Sequence, residues 1–372
     1  MIKRGIVESC GIYSGGENMF KSRDSNKSAT FKYLISASFY IAAMWCTNCS
    51  GGESIDLKLR LKPKQKYSLR IIEENKTSQK AMGQSIDINQ TKLTELEFKV
   101  EEVDANNIAS IKVTYLKLKE KGASQGRQME YDSTNPEISA DNPLAPMYSA
   151  MIGQGFIMKV SPKGKILELT GVDEMYLKMA EKLADSEDED LRKKYGDKAQ
   201  RAIDKSNQRF GSRAKRIEAL NEKIKKLPMF GQWRLMELLN NVVVPFAGKP
   251  IGIGDSWQAG AMRMSMLPDE IEGTYTLKEK NQTFLTIDIN SKIDINNVTV
   301  PGMGSPQGQT KVSLKGSYEG SLQIDQTSGW LNLKKTTLKI AGELKMAGNK
   351  QMPQGMTIPI STEFTITVEP IE

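Results

Sequence analysis

The chain has 372 residues, an apolar fraction of 38%, and 52 Lys and Arg against 45 Asp and Glu, a net charge of +7. This length and composition suffice for a hydrophobic core, and so small a positive excess does not indicate a nucleic-acid-binding protein. The sequence contains no histidine, and its 3 cysteines all lie within the first 49 residues. Ser-His-Asp catalysis, Cys-His catalysis and the usual zinc and iron sites are therefore excluded from the rest of the chain.

The N-terminal segment is typical of a signal peptide. From Met19, a basic stretch precedes an apolar run from Tyr33 to Cys46. The run is shorter than the roughly 20 residues that a membrane-spanning helix needs. We therefore interpret residues 1–49 as upstream residues plus a signal peptide, and we expect export to the cell envelope, either the periplasm or the outer membrane.

Two cysteines, Cys46 and Cys49, close the apolar run. A cysteine at this position, followed by small and polar residues, is where bacterial lipoproteins are cleaved and acylated. Cys49 precedes a Ser-Gly-Gly sequence and is the preferred lipidation site, with Cys46 as the alternative. Cleavage without lipid attachment and a thioredoxin-like redox pair are the remaining interpretations. An acyl chain here would attach the protein to the membrane through its N terminus.

Alternating apolar and polar residues predict strands on both sides of a helical segment. This period of two is typical of antiparallel strands with one solvated face. The predicted strands are 55–62, 96–103, 108–118, 156–160, 166–169, 275–277, 284–289, 312–324, 331–346 and 358–368. Residues 161–164 and 325–329 carry the glycines expected of hairpin turns.

The segment 172–245 interrupts this pattern, because its apolar residues recur at three- and four-residue spacing and predict helices. Residues 173–190 are mostly acidic, and residues 191–227 are strongly basic. One interpretation is a solvated helical hairpin whose two arms attract each other. Another is a basic arm that contacts anionic lipid head groups. No nucleic-acid partner is expected, because interleaved aromatic residues are missing.

These patterns divide the chain into four parts. After residues 1–49 follow a first β portion, 50–171, a charged helical insertion, 172–245, and a second β portion, 246–372. Residues 50–372 are expected to form one composite domain. The predicted fold class is mainly β (α+β), with a large twisted antiparallel sheet or half-open barrel on which the helical insertion packs.

Methionines supply most of the candidate ligand-binding residues. Three of them alternate on one face of a predicted strand at residues 261–266. Methionine commonly fills irregular cores, but it can also line a pocket for an apolar ligand, and a soft Cu(I) site is a third interpretation. The cavity candidates are Met262, Met264, Met266, Met175, Met179 and Trp233. No catalytic residue, cofactor or metal site is predicted, because no carboxylate pair, phosphate loop or activated nucleophile can be recognised.

The body of the chain resembles an uncharacterised family of secreted bacterial lipoproteins, a domain of unknown function that is frequent in Bacteroidetes. Four stretches carry the resemblance: 59–67, 153–164, 249–257 and 361–370. They consist of turn and core positions and include no catalytic group. The pattern is also similar to the half-barrel folds of lipoprotein carriers and lipid-binding lipoproteins, which implies a covered concave sheet.

The expected function is that of an exported, lipid-anchored envelope protein that binds a lipid or another hydrophobic ligand and is not an enzyme. The alternative is a structural or protein-interaction module of the envelope that has no ligand pocket and holds an envelope protein partner. These two hypotheses differ in whether the space between helices and sheet is hollow.

Overall fold

A computed structural model of the protein describes residues 54–81, 84–124, 127–139, 142, 144–227, 230–262, 270–300, 310–348 and 354–371. The predicted signal peptide, both candidate lipidation sites (Cys46 and Cys49), Met264 and Met266 lie outside the described residues.

Within the described residues, 12 strands form one antiparallel sheet. The strands are β1 (Lys66–Ala81), β2 (Gln84–Val103), β3 (Ala109–Ser124), β4 (Arg127–Asp132), β5 (Gly155–Val160), β6 (Ile166–Thr170), β7 (Ser256–Met262), β8 (Ile271–Lys280), β9 (Phe284–Val300), β10 (Thr310–Asp325), β11 (Leu331–Met346) and β12 (Met356–Pro370). The helices are α1 (Ala145–Met151), α2 (Val172–Tyr195), α3 (Ala199–Phe210), α4 (Arg213–Lys226) and α5 (Gln232–Asn240). The predicted fold class, an open antiparallel sheet with a helical insertion, is confirmed.

Two meanders meet in the middle of the sheet. The strand order is β6-β5-β3-β2-β1-β12-β11-β10-β9-β8-β7, and β4 pairs with β3 beside this path. The first and last strands are therefore central neighbours, paired from Leu69–Pro370 to Gln79–Ile360. Helices α2 to α5 connect the two outermost strands, β6 and β7, so the insertion leaves one edge of the sheet and returns at the other.

The prediction of a strand at residues 55–62 is wrong, because this segment does not pair with a neighbouring strand along its length. Only Ile55 forms a bridge, with Ile251. The backbone N–H of Leu59 donates to the carbonyl oxygen of Pro162 at 2.8 Å, which lies in a hairpin turn and not in a strand. Alternate side chains of the segment are nevertheless buried, namely Leu57, Leu59 and Leu61. The alternation therefore reports a half-buried extended segment that crosses the turns of the sheet.

Both predicted hairpin turns are confirmed, and each holds a glycine that no other residue could replace without strain. Gly164 and Gly329 each have φ +70, a left-handed conformation that favours glycine. A Cβ on Gly164 would lie 1.8 Å from the carbonyl oxygen of Val244, and one on Gly329 would lie 2.3 Å from that of Lys58. The chain segments before β1 and after α5 therefore pack directly against these turns.

The helices cover one face of the first meander. The hydroxyl of Tyr176 on α2 donates to the carbonyl oxygen of Phe230 and ties α2 to the start of α5. Buried side chains of α2 and α5 join the same hydrophobic core as the strands, among them Met175, Met179, Leu183, Leu235 and Leu239. No helix in the described part of the chain combines the length and hydropathy needed to cross a membrane.

The charged arms of the insertion pair as the hairpin interpretation predicts. Arg216 on α4 is only 1% exposed, and its guanidinium lies 2.6 Å from Asp188 and 2.7 Å from Glu187 on α2. Two further pairs join the same region, Arg213–Asp185 and Lys225–Asp173. Ion pairs between the arms hold α2 against α4, although most of α3 is exposed.

Candidate functional site

A cleft of about 380 Å³ opens on the helix-covered face of the sheet. Strands β1, β2 and β3 supply one part of its lining, and β11 and β12 supply another. Helices α1 and α5 and the end of β7 complete the lining with Tyr148, Arg234, Glu237 and Met262. A residue of the edge strand β7 therefore shares a cleft with strands from the middle of the sheet.

Three charged side chains form a transverse row on the floor of the cleft. Glu73 on β1 faces Lys92 on β2, and Lys92 faces Glu120 on β3. Directly opposed side chains on neighbouring antiparallel strands have Cβ atoms about 5 Å apart. Glu73 is 4% exposed and Glu120 is 8% exposed, so this row places charge where the strand pattern elsewhere places core residues.

Arg234 on α5 neutralises the first carboxylate of the row. Its Nη2 donates to both carboxylate oxygens of Glu73, at 2.9 and 2.7 Å, and its Nη1 lies 2.7 Å from Glu237, one helical turn further on. Burial alone would lower the pKa of Arg234, but the two carboxylates outweigh burial and raise it. Burial raises the pKa of Glu237 despite the neighbouring guanidinium. These pairs offset the cost of removing the charges from water.

Lys92 and Glu120 are less completely paired. The side-chain ammonium of Lys92 forms no hydrogen bond or ion pair with any residue that the structure describes, and burial, followed by the charge of Arg234, lowers its pKa. Glu120 accepts a hydrogen bond from Gln90 at 2.6 Å through Oε1. Its Oε2 is buried and has no hydrogen-bond partner among the described residues. Burial, then the charge of Glu120 and a close contact with its carboxylate, raise the pKa of the Tyr148 phenol.

Apolar side chains line the other side of the cleft. Phe364 on β12 and Leu338 on β11 are register neighbours, and both face the cleft with Ile360 and Met262. Phe364 is also the register neighbour of Asn75 on β1, where the lining becomes polar. The cleft is therefore amphipathic, with charges over β1–β3 and hydrocarbon over β11–β12.

The structure separates the residues that the sequence grouped as cavity candidates. Met262 is 5% exposed and lines the cleft. Met175 borders a space of only about 20 Å³ between α2, α5 and the sheet, and Met179 is fully buried in the core. Trp233 is 37% exposed and lines neither space.

The sequence analysis did not identify the charged residues of the cleft. Glu73 continues the core-facing positions Leu69 and Ile71 of β1, and Glu120 continues Leu118 of β3 in the same way. The sequence signal that could have identified them is a charged residue at a position where the alternation of the strand predicts a core-facing side chain. The described residues contain no group of three His, Cys, Asp or Glu side chains arranged to hold a metal ion.

Comparison with solved structures gives distant similarities. One is to a structure titled "lipid-protein interactions in lipovitellin", at 6% identity and a TM-score of 0.39, covering 84% of this chain and 26% of that chain. The chain thus spans about a quarter of the lipovitellin chain. Another is to DynF from the dynemicin biosynthesis pathway of Micromonospora chersina, at 7% identity and a TM-score of 0.17, covering 85% of each chain. Scores of this size carry no conclusion about function.

No curated protein matches the chain. A family model does match it, over residues 106–212 and 197–331, and the family is described as one of unknown function, DUF6263. The two matched segments together cover more than half of the 372 residues and include strands β3 to β10 and the helical insertion. The protein therefore belongs to the DUF6263 family.

Proposed function

We propose that the protein binds a lipid or a similar amphipathic ligand in the cleft and does not catalyse a reaction. The observation that carries this proposal is the cleft itself, whose volume of about 380 Å³ lies within the range of roughly 300–1,000 Å³ found for small-molecule sites. Its charged and hydrocarbon sides match a molecule with a polar head and an apolar tail. The lack of histidine throughout the sequence supports the non-catalytic assignment.

Lipid retention during gentle purification tests this proposal. Native mass spectrometry of the full-length protein should show a bound lipid that is lost when Asn75, half-buried at the boundary of the two sides, is changed to Trp. The matched control is Lys335→Trp at an exposed position of β11, which should retain the lipid. If the wild type carries no lipid and co-purifies with another protein, the alternative function, a structural or interaction module, replaces this one.

The proposed location is the bacterial cell envelope, with the protein attached through an acylated cysteine as in a secreted lipoprotein. The order of basic segment, apolar run and cysteine near residue 49 supports this location. Metabolic labelling with a fatty-acid analogue should label the wild type and not the Cys49→Ala variant. Label that persists in Cys49→Ala and disappears in Cys46→Ala would move the anchor to Cys46. An unlabelled wild type would contradict lipid attachment.

A further inference from the structure

Two opposite charges with unused bonding capacity lie side by side on the charged side of the cleft. Lys92 and Glu120 occupy facing positions on β2 and β3. Within the described part of the chain, the Lys92 ammonium has no partner, and Glu120 Oε2 is buried without a hydrogen bond. No nitrogen–oxygen contact closes between them, although their register would allow one. Buried polar atoms without partners are costly to folding, so such atoms at a cleft indicate a missing partner.

The neighbouring charged groups are already engaged and cannot supply that partner. Arg234 is held between Glu73 and Glu237, and Gln90 donates its amide to the other oxygen of Glu120. An anion alone would satisfy Lys92 but would add negative charge beside Glu120. A cation alone would satisfy Glu120 but would add positive charge beside Lys92, whose pKa burial and Arg234 already lower. A molecule with both charges satisfies both side chains and also compensates both charges.

We infer that the cleft recognises a zwitterionic group, in which an anion contacts Lys92 Nζ and a protonated amine a few bonds away donates to Glu120 Oε2. This inference rests on the proposed function and specifies its ligand class. Facing Cβ atoms about 5 Å apart suit an anion and an ammonium joined by a short linker. The apolar side chains Leu338 and Phe364 lie across Asn75 from this pair and would contact a hydrocarbon tail.

Four probes separate the contributions that each charge and the acyl chain of the ligand make to the binding affinity. The delipidated full-length protein is titrated by calorimetry with lysophosphatidylethanolamine (both charges), lysophosphatidylglycerol (anion only), a monoacylglycerol (no charge) and phosphoethanolamine (both charges without a chain). Lysophosphatidylethanolamine should bind at least about tenfold more tightly than the other two lipids, since charge-assisted contacts of this kind are worth a factor of about ten or more.

Variants assign the two charges to their residues. Lys92→Met should weaken both phospholipids about tenfold and leave the monoacylglycerol unchanged. Glu120→Gln should weaken only lysophosphatidylethanolamine. The control is Lys112→Met, at an exposed position of β3, which should change none of the affinities. The ranking of ligands by the wild type needs no variant, so it decides the question even if one variant does not fold.

The outcomes distinguish this inference from the proposed function. Equal binding of all three lipids would overturn the zwitterion and leave lipid binding intact. If neither the three lipids nor phosphoethanolamine bind, both the zwitterion and the proposed lipid binding are overturned. If phosphoethanolamine binds as tightly as lysophosphatidylethanolamine, the zwitterionic group is supported and the acyl chain contributes nothing to affinity. The ligand would then be a soluble zwitterion and not a lipid.

Discussion

Arg234 stabilises the protein because it compensates a carboxylate that is almost completely removed from water. Changing Arg234 to Met leaves Glu73, 4% exposed, without its ion pair, and removing one member of a buried pair typically costs about 3–5 kcal/mol. We expect a loss of about 3 kcal/mol in the free energy of unfolding by urea denaturation. Gln232→Met, at an exposed position of the same helix, should change it little.

A double-variant cycle separates this ion pair from general damage. Once Glu73 is also changed to Gln, the loss of Arg234 should cost less, with a coupling free energy of at least about 1 kcal/mol. Strictly additive losses would show that Arg234 acts through packing of its hydrocarbon stem and not through its charge.

Asp132 at the end of β4 should make stability depend on acid pH. Burial would raise its pKa, but hydrogen bonds from Lys119 and Thr134 outweigh burial and lower it to about 2. The folded pKa therefore lies below the unfolded value of about 3.9. The stabilisation is present above pH 4 and is lost as the pH falls towards 2.

The comparison with Asp132→Asn measures this effect. Between pH 5 and pH 2 the wild type should lose about 1 kcal/mol more unfolding free energy than the variant, a value reduced because Lys119 is partly exposed. Asp87→Asn, at an exposed position of β2, is the control and should follow the wild type. Parallel pH curves for wild type and Asp132→Asn would contradict the assigned pKa.

Among the residues that line the cleft, Met262 was a candidate from the sequence, whereas the apolar residues Leu338 and Phe364 and the charged residues were not. Met262 was named because it alternates with Met264 and Met266 on one face of a predicted strand. Glu73, Lys92 and Glu120 were missed because a charge in an alternating strand is ordinarily assigned to the solvent face. Only their spacing of two from neighbouring core residues shows that they point inward, and the ion pair of Glu73 with Arg234 depends on a helix more than 100 residues away in the sequence.

Among the elements, α2 and α4 share one buried arginine. Arg216 is 1% exposed and also contacts Asn207 on α3, so it joins three helices. Arg216→Met should leave Asp188, 4% exposed, with the more distant Arg213 guanidinium at 4.0 Å and lower the unfolding free energy by about 3 kcal/mol. Lys223→Met, exposed on the same helix, is the matched control. A small and equal effect of both variants would mean that apolar packing alone holds the helical hairpin.

The sequence predicted correctly whether a segment is a strand or a helix where its hydrogen-bonding partner lies nearby in the chain. The strand at 331–346 was predicted to the residue, because alternation and a glycine turn define it. The segment 55–62 was not a strand, because its backbone donates to turns, and periodicity reports which side is buried but not which group accepts the hydrogen bond. α2 extends to Tyr195, beyond its apolar residues, with charged side chains that pair with α4.

For the whole molecule, the pairing of β1 with β12 was beyond sequence reasoning. Alternation marks both segments as extended, but it carries no information on which distant strand lies beside which. Joining the two ends of the described chain in the sheet centre requires closure of a loop of almost 300 residues, which is slow but costs only logarithmically more than a short one. The helical insertion is then the connection between the two free edges.

The pairing of β1 with β12 in the middle of the sheet leads to a prediction about the cooperativity of unfolding. If residues 50–372 fold as one composite domain, β1 and β12 can open only when the sheet unfolds, because each is hydrogen-bonded on both sides. Their amides should then exchange with deuterium at the slowest rates in the protein, through global unfolding, with an opening free energy at least about 2 kcal/mol above that of the edge strands β6 and β7. Hydrogen exchange read by mass spectrometry of peptides from these four strands measures the difference. Two independent meanders would instead let β1 and β12 exchange about as fast as β6 and β7, because the contact between β1 and β12 would open without global unfolding.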